Sequence, residues 1–261
     1  SGRRSSLADV TRRRMVRGAR RPVQGAIYVE FLVAFPIMLM FFLCLTQLGL
    51  IYTADVAVEH AATRAARAAV VVLPDDPADY EGDPVNRINP EVYEASGFPG
   101  ALGTILEVIE ALTADSSDRM TTIRRAAWIP LIAISPGEVA LTADFRVDRS
   151  IDSSMTAIGA GAVYASASTA VTFYDEPGST DMIWEFDPRQ DITTRVTHLY
   201  YCSVPLARSI ICKSLGEAED DESTRAELSQ TSGRILSLWG GRFIALTAES
   251  TMPNQGADYE Y

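Results

Sequence analysis

Residues 31–52, "FLVAFPIMLMFFLCLTQLGLIY", hold no formal charge, and nothing else in the 261-residue chain restricts its fold so strongly. At about 1.5 Å per residue this run makes a helix of roughly 33 Å, enough for a hydrocarbon core of about 30 Å. A cleaved secretory signal has a shorter apolar core of about 7–15 residues, closed by a small-x-small site. No such site closes this run, which passes into "TADVAVEHAATRAARAAVVVL" with unbroken helical character as far as Pro74. The pattern predicts a retained anchor and one helix over residues 27–73, about 70 Å long. Pro36 removes one backbone donor inside it, so a kink is expected there.

Charge sets the direction. Residues 1–25 carry Arg3, Arg4, Arg12, Arg13, Arg14, Arg17, Arg20 and Arg21 against Asp9 alone, yet the whole chain has a net charge of -11. A basic flank beside an apolar run stays in the cytoplasm, so the acidic body is expected across the membrane, in a bacterium the periplasm. An acidic body repels phosphates, which excludes nucleic acid as its partner. The expected location is the inner membrane, single-pass, with the N-terminus in the cytoplasm. That compartment allows a disulfide between Cys202 and Cys212, with two free buried thiols as the alternative. Closing that loop contributes about 2–4 kcal/mol. Cys44, inside the apolar run, reads as a small hydrophobe.

Beyond Tyr52 the helix changes character. Ala54, Ala57, Ala61, Ala65 and Ala68 recur at three- and four-residue spacing and form a smooth stripe, while Asp55, Glu59, Arg64 and Arg67 lie elsewhere on the helix. Small side chains let another helix or a sheet approach closely. Alanine is also simply a good helix former, so the stripe has two readings.

Glu30 is the awkward residue. A charge at the centre of a membrane helix costs about 2.5–3.5 kcal/mol, and less near an interface. Such a carboxylate either reaches water at the headgroups or meets a cation. The local order is Gly25, Ala26, Ile27, Tyr28, Val29, Glu30, Phe31. This resembles the type IV pilin signal, a basic leader ending in Gly with Glu as the fifth residue beyond it. The resemblance implies cleavage by a prepilin peptidase between Gly25 and Ala26. It also implies an ion pair between Glu30 and the freed ammonium of Ala26 on a neighbouring subunit. Within the basic stretch, Met15 would begin a compact leader.

The string narrows further. Val29-Glu30-Phe31, Pro36, Gly49, Tyr52, Ala61-Ala62, Arg64 and Arg67 look like the TadE-like family of tight-adherence pilus systems, over about residues 25 to 70. The resemblance implies a minor pilin or pseudopilin, with other pilin and pilus-assembly subunits and a prepilin peptidase as partners. The alternative is an unprocessed, membrane-anchored periplasmic scaffold or binding domain.

The body reads as α+β: a basic leader 1–25, the long helix 26–73, an acidic loop 74–99, and a head 100–261 built on an antiparallel β-sheet. In the loop, Asp75, Asp76, Asp79, Glu81 and Asp83 offer oxygens, but not at EF-hand spacing, and such a loop is ordinarily just solvated. "ALGTILEVIEAL", residues 101–112, has helical period in Leu102, Ile105, Val108, Ile109 and Leu112. Strand character is expected around Trp128 to Ile134, from Glu138 with Ala143, Phe145 and Val147 alternating, from Val163, from Thr193 and from Gly241. "GAGA" at 159–162 reads as a turn before a strand, without a following helix.

Catalytic motifs are missing from the sequence. His60 and His198 are the two histidines, and neither has companions at metal spacing. There is no G-x-S-x-G, H-E-x-x-H or phosphate-binding loop. The chain is expected to be no enzyme and to need no cofactor or metal.

Overall fold

The computed structural model describes residues 24–80, 82–88, 118–136, 161–162, 164–214 and 241–254. The chain forms two compact units, Ser1–Leu43 and Cys44–Tyr261.

Helix α1, Gln24–Val72, is one 49-residue element that continues through Pro36. In the first unit its side chains from Tyr28 on are exposed almost throughout, including Phe31, Leu32, Ile37 and Met38. Its most apolar window has a mean hydropathy of 2.3, and none of that window is buried within the protein. A fully exposed apolar surface of this length is stable where lipid replaces water, and the helix is long and apolar enough to cross a membrane.

In the second unit the same helix enters a core. Ala54, Val58, Ala61, Ala62, Ala65, Ala66, Ala69, Val72 and Leu73 are buried, whereas Ala57 and Ala68 are half-buried at the margin. The covered face is therefore centred between the alanine stripe and its neighbours at 58, 62, 66 and 69. One core cluster joins the buried residues of this face other than Ala66 to Met120, Ile123, Ala127 and Leu131, to Ala162 and Ala165, and to Val171, Val196 and Leu246.

Helix α2, Arg119–Trp128, begins where the Asp118 carboxylate accepts hydrogen bonds from the Met120 and Thr121 N–H groups. It passes at Ile129 into a 3-10 turn, Pro130–Ile134. The strand expected around Trp128 to Ile134 is thus helical. Its β-branched isoleucines suggested a strand, but Pro130 cannot donate to a ladder and is well placed in a first helical turn, where its missing N–H costs nothing.

The stretch from Val163 divides in the same way. Residues 161–162 and 164–168 are helical, so helix follows "GAGA" after all, and strand begins only at Thr169. The Ser168 and Thr169 hydroxyls donate back to the Tyr164 and Ala165 carbonyls. These local bonds close the helix where the β-branched run starts.

Strands β1 (Thr169–Tyr174), β2 (Asp191–Tyr201) and β3 (Phe243–Pro253) form an antiparallel sheet in the order β1-β2-β3. Val171 faces Val196, which faces Ala248, on the side shared with α1. The opposite side carries a polar ladder: Thr193 with Thr251, Arg195 with Glu249 and Thr197 with Thr247 are directly opposed. The Arg195–Glu249 pair closes at 2.5 Å, and the guanidinium also lies 3.9 Å from the Tyr174 ring centroid. Cross-strand pairs of this kind fix register, because a one-residue slip would send each polar group to the wrong face.

Between Cys202 and Cys212, which are disulfide-bonded, lies the short helix α3, Ala207–Ile211. The architecture is a long apolar helix followed by a mixed head with an antiparallel sheet, the α+β class expected. The leader before Gln24, Glu81, the helix expected at 101–112, the strand expected from Glu138 and the last seven residues lie outside the described residues.

Candidate functional site

In the first unit, Gly25 and Ala26 have helical backbone, because α1 starts at Gln24. Glu30 is exposed, flanked by exposed Tyr28, Val29 and Phe31. Phe31 and Phe35, one turn apart, stack with centroids 5.3 Å apart. A carboxylate set in an apolar exposed surface requires water, a headgroup or a cation from outside its own helix.

In the second unit, α1 is tied to the disulfide loop. Gln47 is fully buried, and its Oε1 accepts the Val204 N–H at 3.1 Å. The sequence placed Gln47 inside the lipid-facing run; the structure assigns it to the head instead. The visible signal was that it is the one amide side chain between Phe31 and Tyr52. A buried amide is tolerated where it satisfies a backbone donor that would otherwise be orphaned.

The C-terminal end of α1 is capped by a residue that no motif announced. Arg119 is fully buried and its guanidinium donates to the carbonyls of Val72, Leu73, Asp75 and Asp83. It also lies over the Tyr80 ring, 4.6 Å from the centroid. The last carbonyls of a helix have no intrahelical donors and carry partial negative charge, so a cation there satisfies both needs. The nearby acids serve the same corner. Asp76 caps the 3-10 turn Pro77–Asp79, and Asp75 accepts the Tyr80 hydroxyl at 3.2 Å. Burial raises the Asp83 carboxyl above its usual range, helped by a hydrogen bond with Asp118 and its charge, while Arg119 pulls it back. No cluster of three or more metal-ligating side chains occurs among the described residues.

Of the histidines, His60 is exposed on α1, whereas His198 is fully buried in β2. His198 Nδ1 lies 2.9 Å from Thr169 Oγ1 and 3.3 Å from Ser168 Oγ. Both hydroxyl protons are already committed to backbone carbonyls. Nδ1 must therefore carry the proton, leaving the buried Nε2 as a lone pair without a hydrogen-bond partner. Protonating it would place an unpaired N–H and a charge in the core, and burial lowers the His198 pKa to about 3.

The unfolded chain still binds that proton near its ordinary pKa of about 6.5. His198 thus contributes stability fully present above pH 6.5 and lost as pH falls toward 3. Between pH 7 and pH 5 the loss is about 2 kcal/mol. His198→Asn should flatten this segment of a stability–pH curve measured by denaturation of the detergent-solubilised chain. An unchanged slope would assign the titration elsewhere.

The Cys202–Cys212 bond, with its Cα atoms 6.6 Å apart, brackets the loop held by Gln47, and Cys44 is a half-buried free thiol. No curated protein and no solved structure matches the chain. Residues 25–67, from Gly25 through Glu30 and the alanine-rich helix to Arg67, match the family model of the TadE-like proteins.

Proposed function

We propose that the chain is a minor pilin or pseudopilin of the TadE type, a membrane-inserted substrate of a prepilin peptidase that takes part in assembling or initiating a tight-adherence pilus. The single observation that carries this reading is the match of residues 25–67, which contains Gly25, Ala26 and Glu30 in the order a prepilin peptidase substrate requires. The exposed apolar surface of α1 supports it, because such a helix can exchange lipid for neighbouring helices. In this reading the head stays on the periplasmic side, and the role is structural rather than enzymatic. Its partners are other pilin and pilus-assembly subunits.

Mass spectrometry of the protein isolated from its native membrane tests the proposal. The expected N-terminus is Ala26. A chain that retains its arginine-rich leader would instead be a permanently anchored scaffold.

A further inference from the structure

We propose that the disulfide loop 203–211 is a foot that rests on the bilayer surface, inserting Leu206 and Ile210 among lipid chains while Arg208, Lys213 and Arg242 meet headgroup phosphates. The inference depends on α1 spanning a membrane but not on pilus assembly.

Leu206 is 55% exposed and Ile210 63% exposed, although Ala207, next to Leu206, and Cys212, two residues beyond Ile210, are buried. They bracket most of α3, Leu206 just before its first residue and Ile210 one residue before its end. The backbone is strained at the first of them. Leu206 has φ 66° and ψ -53°, and the Ala207 N–H donates to the Pro205 carbonyl at 2.8 Å. That is the rare γ-turn of positive φ, with a leucine rather than a glycine at its tip. Such strain persists only where the surroundings hold it.

The surroundings are well built. The Cys202–Cys212 bond closes the loop, and the Arg208 N–H donates to the Val204 carbonyl at 3.0 Å. Arg242 donates to the carbonyls of Ser209 and Cys212. The loop is therefore a rigid mount for two exposed apolar side chains.

Its position identifies the occupant. Val204, at the start of the loop, is bonded to Gln47, and the helix around Gln47 exposes Leu45, Leu48, Leu50 and Tyr52. The loop is thus tied to the helix where its lipid-compatible surface gives way to the head. Cations gather at the same place. Arg208 reaches the Tyr201 hydroxyl, Arg242 spans the loop carbonyls, and Lys213, the only lysine in the chain, bridges to Phe243. Apolar tips flanked by Arg and Lys are the pattern of a segment lying in the membrane interface.

Photocrosslinking in the full chain tests this. p-Benzoylphenylalanine is placed at Leu206, Ile210 or Val85, and each protein is reconstituted into vesicles of phosphatidylethanolamine and phosphatidylglycerol. Val85 is a control, 37% exposed and adjacent to Asn86, which bonds to Leu73, about 39 Å along α1 from Gln47. After irradiation, the expected result is phospholipid mass added to the peptides carrying positions 206 and 210, several-fold above position 85. Crosslinks from 206 and 210 to a second copy of the chain, or lipid adducts no higher than at 85, would overturn the foot. Alkaline carbonate extraction of the same vesicles separates the two failures: release of the chain from the bilayer would overturn the anchor reading itself, whereas a retained chain without lipid adducts overturns only the foot.

Discussion

Arg119→Met is expected to be the most destabilising single change in the head, lowering stability by about 3–6 kcal/mol. Its bonds to the Val72 and Leu73 carbonyls are buried, and a hydrogen bond from a charged donor contributes roughly 1.5–3 kcal/mol. Those to Asp75 and Asp83 are only partly buried, so water recovers some of their loss. Methionine keeps much of the volume but leaves the end of α1 without its cap and without a cation at the negative end of its dipole. Arg119→Lys should recover less than half of the loss, since a point ammonium cannot reach four carbonyls with one planar fork. Thermal unfolding of the detergent-solubilised protein reads the effect as a fall in Tm of about 10 °C or more. A shift within a degree or two would mean that the carbonyls find other donors and that the guanidinium is dispensable.

Glu30→Ala is expected to leave the anchor in the membrane and to abolish assembly. Removing a charge from an apolar surface can only favour insertion, so the amount in the membrane fraction should hold or rise. If Glu30 meets the ammonium of Ala26 on a neighbour, deleting the carboxylate strands that ammonium in a lipid-like environment. Breaking a buried pair by removing one partner costs about 3–5 kcal/mol, which is roughly a hundredfold or more in association. Glu30→Gln separates charge from shape, because it keeps the hydrogen-bonding atoms but not the ion pair, and it should fail nearly as badly. The measurement is the quantity of sheared surface fibre against the quantity of membrane-bound subunit. Normal piliation by the alanine variant would remove Glu30 from the assembly mechanism.

These two residues mark opposite ends of what could be read in advance. Glu30 was conspicuous, since a carboxylate beside 22 uncharged residues demands a reason. Arg119 was invisible, because its role depends on chain segments more than thirty residues away being brought around it. The strands beginning near Thr193 and Gly241 were legible from β-branched and alternating residues. Around Trp128 to Ile134 the same composition misled, since the Asp118 cap and Pro130 outweighed the preference of three isoleucines.

The sequence by itself marked a helix long and apolar enough to cross a membrane and the string at residues 25–67 that matches the TadE-like model, because length, apolar composition and local order are read along one dimension. It also brought the two cysteines of the head within a short loop. Tertiary structure decided the rest: that Gln47 belongs to the head, that the alanine face is centred beside the expected stripe, that Arg119 caps α1, and that His198 is locked in one tautomer. Each of these depends on which distant backbone group lies within hydrogen-bonding reach, and only the packed chain brings those groups together.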